Sequence, residues 1–382
     1  MNAYGGLRRS NTRIVPLQWL HLGEHGERLL LEPAADATSF GPRVGRQSAD
    51  EERVRIPAVC AWHLRDARIS SASSSALVRY GVVAEGVPGQ ETRIDVTAGH
   101  LRGHGRKVAM VEVDEGADLE GGIFLGGNGS YNFYHWMCEL LPKLQYLDEV
   151  DRRFSRLPLL VDRKAVEDPG FAAGLKLLAG ERETIPIPAD PLTRVRDLVY
   201  INSPNPATFN LKPGTKSRPG DAMVRRSSID YWRAKAAGWR RDDAAESSPK
   251  RIFVARRENT MRTYNQVDVE AVLSERGFAT VFMEGLSLPE QVRLFANADV
   301  IAGPMGAAWA HLMFVHAGVK CVSWMPAYGG ATGFATLARA AGADLRYVLH
   351  DTAARSTAEM NELSYAVDPS AVARAADDLL AD

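Results

Sequence analysis

The stretch from residue 251 to residue 324 decides the fold class. It reads RIFVARRENTMRTYNQVDVEAVLSERGFATVFMEGLSLPEQVRLFANADVIAGPMGAAWAHLMFVHAGVKCVSW. Short apolar runs alternate here with segments of helical periodicity. The predicted strands are 251–255, 278–283, 299–302 and 319–324, and the predicted helices are 267–276, 288–297 and 306–315. Strands that alternate with helices of this length indicate a parallel sheet with right-handed crossovers, so a Rossmann-like half is expected.

The chain before residue 251 has a less regular pattern. Residues 1 to about 120 read as irregular, with short β-like runs between Ser, Gly and Pro clusters. A glycine-rich turn at 126–129 precedes a predicted helix over 132–141, which Pro142 interrupts. The other predicted elements are strands at 76–84, 92–96, 107–113, 157–162 and 197–201, and helices at 172–179 and about 222–239. Residues 157–201 therefore form one further crossover unit.

Length and composition support a two-domain α/β protein. A chain of 382 residues exceeds what one core usually supports. The Pro-, Gly- and Ser-rich character of residues 202–250 places the domain boundary there. The expected units are an N-terminal domain (1–205), a linker with a connecting helix (206–250), a C-terminal domain (251–345) and a final segment (346–382), whose helix is expected to pack back towards the N-terminal domain.

Charge and cysteine content exclude several classes of protein. The formal net charge of −1 gives no field that would gather a nucleic acid or an anionic membrane, so an anionic ligand must be held by local arginines. Cys60, Cys138 and Cys321 lie far apart and show no metal-type spacing, which fits a reducing compartment. The first twenty residues lack the apolar core of a signal peptide, and no later run approaches the length of a transmembrane helix. We therefore expect a cytoplasmic protein without a transmembrane segment.

The loop after the strand at 251–255 is a candidate phosphate site. Ligands of open parallel sheets bind outside the carboxyl ends of the strands, and Arg256, Arg257 and Arg262 all fall in this connection. Guanidinium groups can bind a diphosphate in bidentate fashion and neutralise the charge of a departing nucleotide. The alternative is a solvated basic loop, but the position at a strand end favours phosphate contact.

A second loop, Gly303-Pro304-Met305-Gly306-Ala307-Ala308, follows the strand at 299–302 and opens a helix. Small residues allow close approach of a ligand to the backbone, and free amides at a helix N-terminus attract anions. The same pattern also occurs where nothing binds, so it gains weight only beside the arginine loop. The sequence contains neither a G-x-G-x-x-G at a strand end nor a G-x-x-x-x-G-K-[ST], so dehydrogenase and kinase functions are not supported.

His135 and Glu139 lie four residues apart and therefore share one face of the predicted helix. A histidine held by a carboxylate can accept a proton from a hydroxyl group. A surface ion pair or a core histidine would show the same spacing, and on spacing alone this structural interpretation is favoured.

Three segments in this order resemble the glycosyltransferase 61 family: YNFYHWMCELLPKL, ARRENTMRTYNQVDVEAVLSERGF and LSLPEQVRLFANADVIAGPMGAAWAHLMF. The resemblance covers roughly residues 121 to 325. It implies a two-domain GT-B glycosyltransferase that inverts the anomeric centre, uses a nucleotide sugar and needs no metal or other cofactor, with a UDP-sugar as the expected co-substrate. No Asp-x-Asp triplet occurs in the chain, in agreement with metal independence.

The resemblance also assigns roles by position. His135 and Glu139 become the catalytic pair, His135 as general base and Glu139 as its orienting group or as the base itself. The residues expected on the acceptor side are Asn132, Tyr134 and Trp136. Those expected to bind the donor and its phosphates are Arg256, Arg257, Arg262, Asn265, Gly303, Met305, Gly306 and Ala307. The N-terminal domain would thus bind a saccharide or glycoconjugate acceptor, and the C-terminal domain the donor.

The sequence departs from the family pattern at four positions. Met305 replaces a usual histidine and Ala308 a common glycine, while Gln266 stands for a glutamate and His311 for a frequent asparagine. The family implies synthesis of capsular or other bacterial surface polysaccharide or glycoconjugate, with peripheral association to an assembly complex. Met305 and Gln266 motivate a second hypothesis, a non-catalytic nucleotide-binding or scaffold subunit of such a system. A metal-dependent nucleotide- or phosphate-ester-processing enzyme is a third.

Overall fold

The computed structural model describes residues 11–23, 25–208, 210–240, 248–257, 262–327, 330–354, 359 and 363–381. It is an α/β structure, as expected, built around two large sheets. The strands of the first part of the chain are β1 Thr12–Trp19, β2 Glu27–Glu32, β3 Ala35–Phe40, β4 Arg43–Val44, β5 Glu51–Ile56, β6 Val59–Ile69, β7 Ser75–Val78, β8 Gly81–Ala84, β9 Leu101–His104, β10 Val108–Glu112, β11 Glu115–Leu125, β12 Leu159–Asp162, β13 Thr184–Ile187 and β14 Leu192–Ile201.

The larger sheet is mixed. Its order is β13-β12-β11-β14-β6-β7-β8-β1-β10-β9, with β2 paired to β6, and β3 pairs with β5 in a separate ribbon. The four strands β13, β12, β11 and β14 are parallel to one another. Strand β6 is antiparallel to β14. The first 120 residues, expected to be irregular, therefore build most of this sheet. Their strands were hard to predict because polar residues interrupt the apolar alternation, as in the Arg65-Asp66 pair of β6.

The helices also differ from the predicted set in detail. The α-helices are α1 Phe133–His135, α2 Leu147–Phe154, α3 Lys164–Glu167, α4 Pro169–Ala179, α5 Arg226–Lys235, α6 Ala237–Arg240, α7 Gln266–Ser274, α8 Leu288–Asn297, α9 Thr332–Ala341 and α10 Pro369–Ala381. Trp136–Leu140 is a π-helix, and Leu141–Tyr146, Pro219–Asp221, Met283–Gly285 and Ala307–Phe314 are 3-10 helices.

Pro142 explains the irregular helix that follows β11. Its ring nitrogen carries no hydrogen, so the carbonyl of Cys138 loses its usual partner four residues on. The side-chain amide of Asn205 donates to that carbonyl at 2.7 Å, and the carbonyls on either side accept from Trp232 Nε1 and Ser203 Oγ. The π-helix is thus held by side chains from elsewhere in the chain, as single-turn π segments near functional sites often are.

The second sheet is parallel throughout. Its strands are β15 Arg251–Ala255, β16 Ala279–Phe282, β17 Val300–Pro304, β18 Lys320–Pro326 and β19 Asp344–His350. The order β16-β15-β17-β18-β19 places β16 and β17 on opposite sides of β15. This reversal is the topological switch point at which such sheets bind ligands. The parallel sheet that was expected for this half is therefore present.

Two connections to this sheet differ from expectation. Strand β4, from the N-terminal part, pairs with β19 as an added edge strand. Helix α10 was expected to pack towards the N-terminal domain, but it packs on α7, β18 and β19, where Val372, Ala376 and Leu379 are buried. The physical reason is that its apolar face matches the uncovered apolar face of the second sheet.

One continuous hydrophobic core joins the two sheets. Residues from β11, such as Ile123, belong to the same buried cluster as Ile252 and Ile301 of the second sheet. Helix α5 lies at the junction: Trp232 contacts Phe314 edge to face, and the guanidinium of Arg233 donates to the carbonyls of Met313 and Val315. None of the helices in the described ranges is both long and apolar enough to cross a membrane.

Candidate functional site

A cleft of about 150 Å³ lies at the carboxyl ends of β11 and β14, where parallel strands commonly position a ligand site. The glycine-rich turn after β11 forms one wall. Gly129 has a φ of +79°, and a Cβ atom there would lie 2.6 Å from Cδ2 of His135. Only glycine allows both this backbone conformation and this close approach, so the turn determines the position of the imidazole.

His135 and Glu139 both line the cleft and contact each other. The Nδ1 atom of His135 lies 2.8 Å from Oε1 of Glu139, and the two side chains are 17% and 14% exposed. When Nδ1 carries the proton and donates it to the carboxylate, Nε2 carries the lone pair. The structure therefore places a histidine and its orienting carboxylate at an accessible surface, an arrangement suited to general-base chemistry.

Burial raises the pKa of Glu139, and the nearby carboxylate of Glu85 raises it further, while His135 and Lys143 lower it. Lys143 is 1% exposed, and its Nζ lies 3.8 Å from Oε2 of Glu85. Glu85 also accepts hydrogen bonds from the Tyr200 hydroxyl at 2.9 Å and from the Ser203 amide at 2.6 Å. A buried cation thus lies between two carboxylates of the site.

Sequence reasoning missed both Glu85 and Lys143. Lys143 follows Glu139 by four residues, just as Glu139 follows His135, so the same spacing rule could have found it. Glu85 follows β8 in the part that was expected to be irregular, and no local pattern distinguishes it. Its hydrogen bonds with Tyr200 and Ser203, at the end of β14, bring it to the cleft.

The residues expected on the acceptor side do not all face the cleft. Asn132 is the N-cap of α1, where its side chain accepts from the amide of Tyr134 at 2.9 Å. Tyr134 is 5% exposed and contacts Phe334 edge to face. Trp136 is fully buried, and its indole N–H donates to the carbonyl of Phe171. The structure gives these three residues roles in capping and packing around His135.

The arginine loop lies at the switch point between β15 and β17. The guanidinium of Arg256 donates to the carbonyls of Arg262 and Met305, at 2.6 and 2.8 Å. The Gln266 side chain accepts from the amide of Arg256 and donates to its carbonyl, both at 2.8 Å. An ionised glutamate at this position could only accept hydrogen bonds. The glutamine therefore adds one hydrogen bond, which its side chain donates to the carbonyl of Arg256.

Arg262 has a φ of +63° and lies close to Arg256. Burial lowers the pKa of Arg262, and the adjacent positive charge of Arg256 lowers it further. Its Nε has no hydrogen-bond partner among the described residues, and within that part of the chain neither arginine forms an ion pair with a carboxylate. Asn265 instead exchanges two hydrogen bonds with the backbone of Val367. Arg257 is exposed, and residues 258–261 of the loop lie outside the described residues.

The second loop is shorter than predicted. Gly303 and Pro304 belong to β17, so only Met305 and Gly306 connect the strand to the 3-10 helix that begins at Ala307. The amide of Met305 donates to the carbonyl of Trp324, and its carbonyl accepts from Arg256. A 3-10 helix replaces the predicted α-helix. Met305 and Ala307 pack against the central core.

The His135 segment and the 3-10 helix after the second loop meet through an aromatic contact. The ring of Phe133 stacks on His311 of the 3-10 helix, with centroids 5.3 Å apart. His311 is 1% exposed, its Nδ1 lies 2.9 Å from the carbonyl of Ala308, and burial lowers its pKa to about 4. His311 is therefore a neutral core histidine. Its contact with Phe133 places the segment that carries His135 and Glu139 beside the 3-10 helix that begins at Ala307.

Within the described ranges, no three His, Cys, Asp or Glu side chains are gathered in a group that could hold a metal ion. The fold and site define an α/β protein with a histidine–carboxylate pair in a cleft beside a parallel sheet whose switch point carries arginines. Residues 133–322 match the family model described as Glycosyltransferase 61, and the chain belongs to this family. It is thus a glycosyltransferase. No curated protein matches the chain.

Proposed function

We propose that the protein is an inverting, metal-independent glycosyltransferase that moves a sugar from a nucleotide-sugar donor to a hydroxyl group of an acceptor. The observation that carries this proposal is the 2.8 Å contact between His135 and Glu139 in a cleft beside the arginine-bearing switch point. Family membership supplies the reaction class, and the geometry supports the roles of the residues.

In the proposed reaction His135 acts as general base. Its Nε2 removes the proton of the acceptor hydroxyl while the oxygen forms a bond to the anomeric carbon. The bond between that carbon and the diphosphate oxygen breaks on the opposite face, and its electron pair leaves with the nucleotide. Glu139 stabilises the imidazolium that forms, as a buried carboxylate does in a catalytic triad. Attack opposite the leaving group inverts the anomeric configuration.

The departing diphosphate would lie at the arginine loop. Arg256 and Arg262 carry positive charge that no described carboxylate neutralises, and such charge stabilises a leaving phosphate. The backbone at Gly303, Met305, Gly306 and Ala307 would line the donor, and a UDP-sugar is the proposed co-substrate. Arg257 would contact the diphosphate from the loop surface, and Asn265 would support the loop through Val367.

The wider assignment follows from the family. We propose that the parallel strands β11–β14 and β15–β19 correspond to the two Rossmann-like domains of a GT-B enzyme. We also propose a role in bacterial surface polysaccharide or glycoconjugate synthesis, in the cytoplasm, with peripheral association to an assembly complex.

A nucleotide-sugar screen tests this proposal. The purified protein is incubated with UDP-, GDP-, CDP- and TDP-sugars, each with EDTA and with Mg²⁺, and nucleotide release and melting temperature are followed. A ligand that binds only the native state raises the melting temperature. One donor should give a shift and turnover that EDTA does not reduce, and NMR of the product should show the inverted anomer. A retained anomer, or turnover that requires the metal, would contradict the mechanism.

Matched arginine variants locate the donor site. Arg262→Ala should weaken nucleotide binding by roughly 10–150-fold, because hydrogen bonds to charged groups contribute about 1.5–3 kcal/mol. Arg374→Ala, in an exposed ion pair on α10, is the control and should bind as the wild type does. If both variants bind the nucleotide as tightly as the wild type does, the diphosphate does not bind at the arginine loop.

The scaffold hypothesis rests on Met305, where the family usually has a histidine. In this structure the backbone carbonyl of Met305 accepts a hydrogen bond from Arg256. Nucleotide binding without turnover by any donor and acceptor pair would favour the scaffold.

A further inference from the structure

The cleft extends beyond the catalytic pair, and the additional lining residues indicate its ligand. Its volume of about 150 Å³ is small compared with the roughly 300–1,000 Å³ of clefts that bind drug-sized molecules. It therefore has room for about one sugar ring, and it is open to solvent on one side. Tyr131, 66% exposed, lines the cleft and presents an aromatic ring to solvent. Asn128 and Asn210 also line the cleft.

Asp95 gives the cleft a negative charge. Partial burial raises the pKa of Asp95, but hydrogen bonds from Thr97 and the nearby His104 together outweigh this, and the pKa lies below its ordinary value. The Nε2 atom of the neighbouring His104, whose side chain is 1% exposed, lies 3.4 Å from Oδ1 of Asp95. The Nε2 of His104 accepts the amide proton of Val96 at 3.0 Å, and its Nδ1 lies 2.9 Å from the carbonyl of Gly105. The side chain of Asp95 is 37% exposed and lines the cleft.

The other charges of the cleft are unequally distributed. Among the described residues that line it, the carboxylates of Glu85, Asp95 and Glu139 face a single basic side chain, His135. Lys143 compensates Glu85 from behind the surface, where it is 1% exposed and cannot reach a ligand. An acidic sugar placed here would approach carboxylates without a cation to bind it. A hydroxyl group, in contrast, can donate to them.

We propose that this cleft is the acceptor subsite and that it takes a single uncharged sugar ring, with Asp95 accepting hydrogen bonds from its hydroxyl groups. The proposal rests on the proposed function, because it assumes that His135 activates a hydroxyl of the bound ring. Like charge excludes uronic acids and other acidic sugars from the subsite. Asp95 is therefore a specificity-determining residue that the sequence pattern did not indicate.

Binding of simple glycosides to the full chain, measured without donor, tests the inference. The probes are the methyl glycosides of glucose, galactose, mannose and xylose, and the methyl glycosides of glucuronic and galacturonic acid, followed by saturation-transfer NMR. At least one neutral glycoside should bind in the millimolar range. The corresponding uronate should bind roughly tenfold more weakly or not at all, since one unit charge separates the two ligands.

Two variants and a control assign the effect to Asp95. Asp95→Ala should lose roughly tenfold or more of the affinity for the neutral glycoside. Asp95→Asn keeps an acceptor for the Thr97 amide and so preserves the loop, and it should narrow the difference between neutral and acidic glycosides. The control is Asp36→Asn. Asp36 lies on β3 in an exposed ion pair with Arg55, and this variant should bind neutral and acidic glycosides as the wild type does.

Each outcome separates this inference from the proposed function. Equal binding of neutral and acidic glycosides, no binding of any neutral glycoside, or unchanged binding by Asp95→Ala would overturn the inference, even if the protein turns over a nucleotide sugar. Conversely, selective glycoside binding that depends on Asp95 but occurs without donor turnover would retain the subsite and reject the transferase mechanism.

Discussion

Two histidines on adjacent helical segments show how one residue type acquires different properties in this molecule. His135 lies at the edge of a cleft, with Nδ1 against the carboxylate of Glu139. His311 lies in the core, with Nδ1 against a backbone carbonyl and its ring between Phe133 and Phe295. A carboxylate partner and access to solvent allow a histidine to gain and lose a proton, whereas apolar burial keeps it neutral.

The difference teaches that proximity to a motif does not define a catalytic group. His311 lies within the family region and contacts the residue that begins the His135 segment, yet its Nε2 is buried and has no hydrogen-bond partner among the described residues. His311 therefore cannot take the place of the histidine that the family usually has at the position of Met305. Of these two histidines, only His135 can act as the base in the proposed reaction. Substitutions at each histidine and at its neighbours test this difference.

The largest expected effect concerns His135 itself. His135→Ala should lower the rate of transfer by roughly 10²–10⁴-fold, the usual contribution of a general base, and leave nucleotide binding intact. His63→Ala is the matched control, because His63 also contacts a carboxylate, Asp197 at 2.9 Å, and is likewise 17% exposed, but lies outside the cleft. Transfer at the wild-type rate by His135→Ala would refute the assignment.

The next effect concerns His311 and acid stability. Burial holds its pKa at about 4 in the folded state, below its ordinary value of 6.5. The unfolded chain therefore binds the proton more readily between these pH values, and ~3 kcal/mol of stability is lost as the pH falls from 6.5 to 4. His311→Leu should flatten this part of the stability curve, measured by urea unfolding, while transfer near neutral pH persists. An unchanged slope would show that another group causes it.

A smaller effect is expected at Gly129. Gly129→Ala places a methyl group against the His135 ring and a side chain in a backbone region that costs about 1–2 kcal/mol. The turnover number should fall roughly 5–30-fold, with little change in nucleotide affinity. Gly318→Ala has a similar positive φ with no atom near the added Cβ, so it controls for backbone strain alone. Equal losses of activity in both would mean that the turn does not position the imidazole.

The smallest effect is a displaced pH profile. Lys143 lowers the pKa of Glu139, so Lys143→Met should raise it further above its ordinary value. If transfer requires the ionised carboxylate, the acidic limb of kcat/KM should move to higher pH. Lys143→Arg retains the positive charge and should keep the limb near its wild-type position. A lower plateau without displacement of the limb would indicate a purely structural role.

The second sheet was predictable because its inner strands β15, β17 and β18 are mostly buried and read as continuous apolar runs. Strand β15 and helix α8 have the predicted bounds. The antiparallel part of the first sheet was not predictable from the sequence. Its short strands mix polar and apolar residues, and they pair with strands that are far away along the chain. Strand β4, two residues long, pairs with β19, three hundred positions away.

The candidate site divides in the same way. The spacing of His135 and Glu139 predicted that they share a face, and the side chains do meet. The sequence predicted an arginine-rich loop at a strand end, but not that Arg256 would bridge the two loops through backbone carbonyls. The burial of Trp136 could not be predicted, because a helical pattern does not specify which neighbour covers each face.

The sequence by itself determined the α/β class, the parallel second sheet, the family motifs and the pairing of His135 with Glu139, because each depends on residues close along the chain. Only the tertiary structure decided that Glu85, Asp95 and Lys143 join that pair, that His311 is neutral and that α10 covers the second sheet. Those outcomes depend on which surfaces meet, and on the loss of water when they do, which changes the charge that each buried group can carry.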